Sequence, residues 1–170
     1  MSSLVQAAAL GATGLFAGAS LYISVVQVPA TEEMSASGVD ALVAWQRFFP
    51  KAASLQAPLA FTASATSLAH FLSGTDKVYT ASGYLVDDGD ARVSFLVGGL
   101  LMGSIIPYTL RAMMPLNRQL MLKDANSQPG EWKRAKLRLW GKLHHARTAA
   151  SLAAFGLVLY QVLGPERVRD

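Results

Sequence analysis

Residues 2–31 read SSLVQAAALGATGLFAGASLYISVVQVPAT and contain no charged side chain. Three further uncharged stretches of at least 18 residues follow: 52–75, 93–110 and 148–165. About 20 apolar residues cross the hydrocarbon core of a bilayer as a helix, so these stretches predict four transmembrane helices. The predicted helices lie at about 4–28, 52–73, 93–122 and 130–164. We therefore expect an all-α fold, a four-helix transmembrane bundle, with residues 1–170 forming one integral membrane domain.

The composition points in the same direction. Hydrophobic residues make up 52% of the 170 residues and charged residues only 15%, which is unusual for a soluble protein. The alternative is a soluble helical bundle with long buried helices. The chain has no cysteine, which excludes disulfides, thiolate metal sites and cysteine nucleophiles.

The basic residues are concentrated between the third and fourth apolar stretches. Residues 111–147 hold nine of the 15 Lys and Arg residues, and we expect this segment to form a polar helical hairpin extension that projects from the bundle. Because these cations lie between apolar stretches, they indicate membrane topology, and we expect no nucleic acid partner. The positive-inside rule places the 111–147 loop of this multi-pass protein on the cytoplasmic side and both termini opposite.

A short amphipathic segment precedes the second apolar stretch. Asp40 can cap a helix in which Leu42, Trp45 and Phe49 share one face, and Pro50 is expected to end it. This pattern predicts a segment that lies in the lipid headgroup layer.

Two glycines in the first helix form a small-xxx-small step. Gly14 and Gly18 would let another helix approach closely where the hydrophobic effect offers little drive. The approaching helix could belong to the same bundle, to a protein partner or to a second copy of the chain.

The fourth helix carries the strongest candidate site. Trp140, His144 and Arg147 fall at i, i+4 and i+7, so they share one helical face at the start of an apolar stretch. Ionisable groups are costly at such positions and tend to mark sites. A neutral imidazole can accept a proton, and an arginine can stabilise an anion. The alternative is that Trp140 anchors the interface while His144 and Arg147 meet lipid headgroups.

The third helix adds polar groups near its two prolines. Pro107 and Pro115 each remove a backbone donor and bend the helix, which often opens a cavity. Tyr108 and Asn117 lie beside them. The third and fourth helices are neighbours in sequence and should pack antiparallel, which would bring Asn117 to the membrane level of His144.

No metal or other cofactor is expected. His70 is the only histidine of the second helix, and a b-type haem would need a second axial histidine such as His144 or His145. The predicted topology puts these residues at opposite membrane faces. Zinc-ligand spacings, phosphate-binding loops and dinucleotide-binding glycine motifs are absent from the sequence.

Several short motifs resemble those of the anthrone oxygenase-like family of small four-helix membrane proteins. They are Ile106-Pro-Tyr-Thr, Pro115-Leu-Asn117, Leu139-Trp140, Leu143-His144 and Arg147, together with Val28-Pro29 after the glycine-rich first helix and Trp45. The resemblance covers most of the chain.

The resemblance implies a cofactor-independent monooxygenase that converts a polyketide anthrone, or a similar flat hydrophobic molecule, to a quinone. His144 would act as the general base, while Arg147 and Asn117 would stabilise the anionic oxygen. Trp140, Tyr108 and Trp45 would contact the substrate.

Two other functions remain open from the sequence. A non-catalytic membrane subunit or accessory protein of a larger complex would use the Gly14–Gly18 face and the 111–147 hairpin to bind its partners. A quinone- or lipid-binding protein would use the same cavity without chemistry. Membrane lipid surrounds the protein in each case.

Overall fold

The computed structural model describes residues 2–36, 40–73, 77–79, 85–87 and 89–163. The described helices are α1 (Ser2–Tyr22), α2 (Val28–Ala36), α3 (Ala41–Ser73), α4 (Gly89–Tyr108), α5 (Met114–Met121) and α6 (Gly130–Leu163). The described strands, β1 (Lys77–Tyr79) and β2 (Leu85–Asp87), form a short antiparallel hairpin that pairs Val78 with Val86. Apart from this short hairpin the described elements are all helical, so the predicted all-α fold class is confirmed.

Short non-α turns join these helices into four longer segments. A π-helical turn at Ile23–Gln27 connects α1 to α2, another at Thr109–Met113 connects α4 to α5, and a 3-10 turn at Lys123–Ser127 precedes α6. The resulting segments are I (residues 2–36), II (41–73), III (89–121) and IV (130–163).

The four segments lie antiparallel to their neighbours. Segment I packs against II and IV, and segment III packs against the same two. The Ser64 hydroxyl donates to the Gly99 carbonyl oxygen at 2.9 Å between II and III, and the Tyr108 hydroxyl donates to the Leu143 carbonyl oxygen at 3.0 Å between III and IV. Each segment therefore has two neighbours and one diagonal partner.

Two of the segments are long and apolar enough to cross a membrane. They are residues Leu4–Ala36 and Arg92–Met121, which correspond to segments I and III. Segments II and IV also contain uncharged stretches, but small polar residues in II and basic residues in the first half of IV reduce their hydropathy.

Prolines account for both π-helical turns. The N–H of Val28 bonds to the carbonyl oxygen of Ile23, and the N–H of Met114 bonds to that of Thr109, which are the five-residue spacings of a π turn. Pro29 and Pro115 come next in the sequence. Because proline lacks an N–H and its ring crowds the carbonyl four residues earlier, the turn widens and the helix continues.

The prediction of a separate headgroup helix ending at Pro50 was wrong. Helix α3 begins at Ala41, not near residue 52, and runs without a break through Pro50 and Pro58. Leu42 and Trp45 are fully buried in a core that also contains Trp140. The apolar face of Leu42 and Trp45, which was predicted to contact lipid, packs against protein instead. This packing offsets the loss of the backbone hydrogen bond that Pro50 removes.

The basic segment 111–147 forms a helical hairpin, but the hairpin does not project alone as predicted. Its Leu120 and Leu137 pack into the same core as Leu42, at the start of α3. Lys133 Nζ donates to an Asp40 carboxylate oxygen at 2.8 Å, and this hydrogen bond holds the pKa of the Asp40 carboxyl below its usual value. The first and third connections of the chain therefore lie at the same end of the molecule.

Glycines allow segments I and IV to approach closely. A Cβ atom on Gly141 would lie 2.8 Å from Val28 Cγ1, and one on Gly14 would lie 3.0 Å from the Phe155 ring. A Cβ on Gly18 would meet nothing within 4 Å. The two glycines of the predicted small-xxx-small motif therefore face different surroundings. Gly14 packs against segment IV, and Gly18 faces outward.

Candidate functional site

A cavity of about 250 Å³ lies between segments II and III, with residues of segments I and IV at its base. Most of its wall is apolar. Ala57, Ile106 and Leu110 are exposed, so the mouth of the cavity faces the outside of the helical layer between II and III. The polar side chains of the wall are Gln56, Thr109, Asn117 and Arg147.

Arg147 is the charged group of this wall, and it is only 9% exposed. Its Nη2 donates to Gln56 Oε1 at 3.0 Å, its Nη1 donates to Met113 Sδ at 3.8 Å, and its guanidinium lies 5.5 Å from the centre of the Phe16 ring. A buried cation is costly without a counter-charge.

No carboxylate supplies that counter-charge among the acidic residues whose side chains the structure describes. These side chains are all exposed: Glu32, Glu33, Asp40, Asp124 and Glu131. Arg147 Nε also has no hydrogen-bond acceptor among the described residues. The arrangement can therefore stabilise an anionic oxygen placed in the cavity.

Asn117 contributes a second polar group to the wall. It is 2% exposed, and its Oδ1 has no protein partner among the residues that the structure describes. Buried acceptors are usually paired, so this oxygen is a candidate ligand contact. Asn117 and Arg147, both predicted from the sequence, are thus brought together on one cavity.

His144 is not among the residues that line the cavity. Its ring is buried, stacks on Trp140 with centroids 5.1 Å apart, and places Nε2 3.3 Å from the Ser20 carbonyl oxygen. A carbonyl oxygen can only accept, so Nε2 carries the hydrogen. In the neutral ring Nδ1 is then the proton acceptor, and it has no protein partner within the described residues.

Ser20 connects His144 to Arg147. The Ser20 carbonyl oxygen accepts from His144 Nε2 and, at 3.2 Å, from the Thr148 hydroxyl. The Ser20 hydroxyl accepts from Gln56 Nε2 at 3.2 Å, and Gln56 in turn accepts from Arg147. A buried polar network thus spans segments I, II and IV.

Sequence reasoning missed Ser20 and Gln56. One signal was available for Gln56, because it is the only side chain other than Ser, Thr or apolar types between Lys51 and His70. Ser20 gave no comparable signal, since serines are frequent in these segments.

The aromatic residues predicted to contact the substrate lie outside the cavity wall. Trp45 packs edge-on against Trp140 with centroids 5.7 Å apart and stacks on Phe49 at 4.6 Å. The Tyr108 hydroxyl donates its hydrogen bond to the Leu143 carbonyl oxygen. Of this cluster, only Phe49 reaches the cavity.

His70 lies at the other end of the helical segments from His144. Its Nε2 is 3.2 Å from Gln6 Nε2, and its ring packs on Phe95 with centroids 4.1 Å apart. In the described ranges no three or more His, Asp or Glu side chains are grouped in a way that could hold a metal ion.

Comparison with known proteins identifies the family. Neither a curated protein nor a solved structure gave a significant match to the chain. A family model described as anthrone oxygenase matches residues 45–157, which is more than half of the chain and includes Asn117, His144 and Arg147. The chain belongs to the anthrone oxygenase family.

Proposed function

We propose that this protein is an integral membrane oxygenase that oxidises an anthrone-type, or similarly flat and hydrophobic, aromatic substrate without a cofactor. Family membership supplies the reaction class. One structural observation carries the assignment to a site: Arg147 is buried on the wall of an apolar cavity without a carboxylate partner in the described chain. Such a cation stabilises the anion that forms when an anthrone loses a proton.

We infer further that the four segments form a transmembrane bundle of one domain. Segments I and III support it by their length and apolar character, and both carry exposed large apolar side chains such as Leu15 and Leu100. The first and third connections lie at one end, which fits a cytoplasmic 111–147 loop with both termini opposite. The substrate then enters laterally from the lipid, between segments II and III.

The size of the cavity suits a single small ligand. Ligand cavities usually measure about 300–1,000 Å³, so a volume of about 250 Å³ lies just below that range. Phe16, Phe49 and Ile105 offer apolar contacts to aromatic rings. The substrate oxygen would face Arg147 and Asn117.

The reaction balances without a redox cofactor. A base removes one proton from the methylene carbon, and the resulting anthrolate carries negative charge on its oxygen, facing Arg147. The carbanion reduces dioxygen as a C–O bond forms, giving a carbon-bound peroxide that takes the proton back from the base. Loss of water from this hydroperoxide breaks the O–O bond and the remaining C–H bond, leaving the quinone carbonyl.

We assign the base to Nδ1 of His144. This atom is the acceptor of the neutral imidazole and has no competing protein partner among the described residues. Because His144 does not line the cavity, this assignment requires a water between Nδ1 and the substrate, and general bases can act through one such water.

The test is oxidation of a simple anthrone by the purified protein in detergent, with dioxygen and without added metal or cofactor. Quinone absorbance should rise faster than in a protein-free control. Arg147→Met should lower the rate by about 10²–10³-fold, the usual effect of removing one oxyanion donor. Arg138→Met, which removes an exposed arginine 3.8 Å from Glu32, should leave the rate unchanged.

The absence of any rate above the protein-free control would contradict the assignment for this substrate class. Partner proteins that remain bound during gentle detergent extraction would then favour a non-catalytic membrane subunit. A partner-free species that retains a quinone or lipid in the cavity would favour a binding protein.

A further inference from the structure

Gln56 supplies the oxygen acceptor of the buried cation, and the hydrogen-bonding groups around its amide fix its orientation. The guanidinium of Arg147 can only donate, so the oxygen of the Gln56 amide faces Arg147 at 3.0 Å. The amide nitrogen then faces Ser20 and donates to its hydroxyl at 3.2 Å. Both ends of a buried side chain are therefore in use.

A glutamate at this position would make a very different site. It has almost the shape of glutamine, but its carboxylate would form an ion pair with Arg147 and cancel the charge. The glutamine holds the guanidinium through a neutral oxygen and leaves its charge intact. Since Gln56 also lines the cavity, that charge remains directed at whatever occupies it.

We propose that the neutral side chain at position 56 leaves the charge of Arg147 uncompensated, so that this cavity selects flat aromatic anions over neutral molecules of the same shape. An anionic ligand supplies a counter-charge that none of the described side chains gives Arg147, and it recovers the desolvation cost of the guanidinium, whereas a neutral ligand leaves that cost in place. This inference rests on the proposed function for the choice of an aromatic ligand. It concerns equilibrium binding and requires no turnover.

The test uses two anthracene probes that cannot undergo the proposed oxidation, because neither has an acidic ring methylene. Anthracene-9-carboxylate carries an oxyanion, and 9-hydroxymethylanthracene is its neutral counterpart. Binding of each is measured by fluorescence titration of the purified protein in detergent. The wild-type protein should bind the carboxylate about tenfold or more tightly than the alcohol, which corresponds to one well-placed charged contact.

Three substitutions separate charge from hydrogen bonding. Gln56→Glu should abolish the preference for the carboxylate, whereas Gln56→Met removes the hydrogen bonds but adds no charge and should keep the preference. Gln119→Glu is the matched control, because Gln119 Oε1 also accepts from a basic side chain, Lys136 at 3.0 Å, on the exposed side of α5. It should behave as the wild type does.

Two results would overturn the inference. One is equal binding of both probes by the wild-type protein, a result that does not depend on whether any variant folds. The other is an equal loss of preference in Gln56→Glu and Gln56→Met, which would make Gln56 a structural support only. If the protein prefers the carboxylate probe but does not oxidise an anthrone, the oxygenase function is rejected and the anion-binding site is retained. If it oxidises the anthrone but binds both probes equally, the oxygenase function is retained and the anion-binding site is rejected.

Discussion

Nε2 of His144 lies 3.3 Å from the main-chain oxygen of Ser20, and this contact determines which ring nitrogen can act as a base. The carbonyl keeps the hydrogen on Nε2 and leaves the lone pair on Nδ1. The same carbonyl oxygen accepts from Thr148, so helix α6 is held against α1 at two successive turns. Segments I and IV thus orient the imidazole from outside the cavity.

His144→Gln is expected to lower anthrone turnover by about 10²–10⁴-fold, the usual contribution of a general base. The glutamine amide can still donate to the Ser20 carbonyl oxygen but cannot accept a proton at neutral pH, so the fold should be retained. His145→Ala, at the exposed neighbouring position, should keep full activity. A folded His144→Gln protein with wild-type turnover would remove His144 from the mechanism.

Trp45→Phe is expected to affect stability more than substrate binding. Trp45 is fully buried and lies outside the cavity wall, so a smaller ring should lower the free energy of unfolding by about 1–3 kcal/mol while the KM stays the same. Phe49→Leu is the contrasting variant, because Phe49 does line the cavity, and its KM should rise. Thermal unfolding and steady-state kinetics measure the two effects, and a raised KM in Trp45→Phe would argue for direct substrate contact.

Gly141→Ala should destabilise the protein, whereas Gly18→Ala should not. The added methyl at Gly141 would lie 2.8 Å from Val28 Cγ1 and force segments I and IV apart, while the one at Gly18 meets nothing within 4 Å. In an otherwise equal helix, Gly→Ala stabilises by about 0.5–1 kcal/mol, so Gly18→Ala should be neutral or slightly stabilising. The two variants are compared by their thermal unfolding midpoints in detergent. A destabilised Gly18→Ala protein would instead indicate that this face contacts a partner or a second copy.

The membrane topology can be tested directly because the chain has no cysteine of its own. Asn126→Cys, in the exposed turn between α5 and α6, should react with a membrane-impermeant maleimide only from the cytoplasmic side. Lys77→Cys, in the connection between segments II and III, should react only from the opposite side. Labelling of both residues from one side would exclude the proposed orientation.

Uncharged runs were sufficient to predict the four helices, and the spacing of His144 and Arg147 was sufficient to place them on one side of α6. Other features required the three-dimensional structure. The face formed by Leu42, Trp45 and Phe49 fits a lipid surface as well as a protein core, so its sequence could not show that α3 starts at Ala41. Gln56 gains its role only because α1 brings Ser20 to one end of its amide and α6 brings Arg147 to the other.

The wide turn at Thr109–Met113 also determines how this part of the chain tolerates a change in length. A π turn holds one residue more than an α turn, so a one-residue deletion there would restore a regular helix. The wide turn already absorbs most of the rotation of about 100° that each helical residue adds, so the side chains beyond the deletion would keep nearly the same direction relative to α4. The same deletion in the regular turn of α5 before Asn117 would rotate Asn117 by about 100° and remove it from the cavity wall. A lost residue is therefore tolerated in the π turn and silences the site a few positions further along the chain.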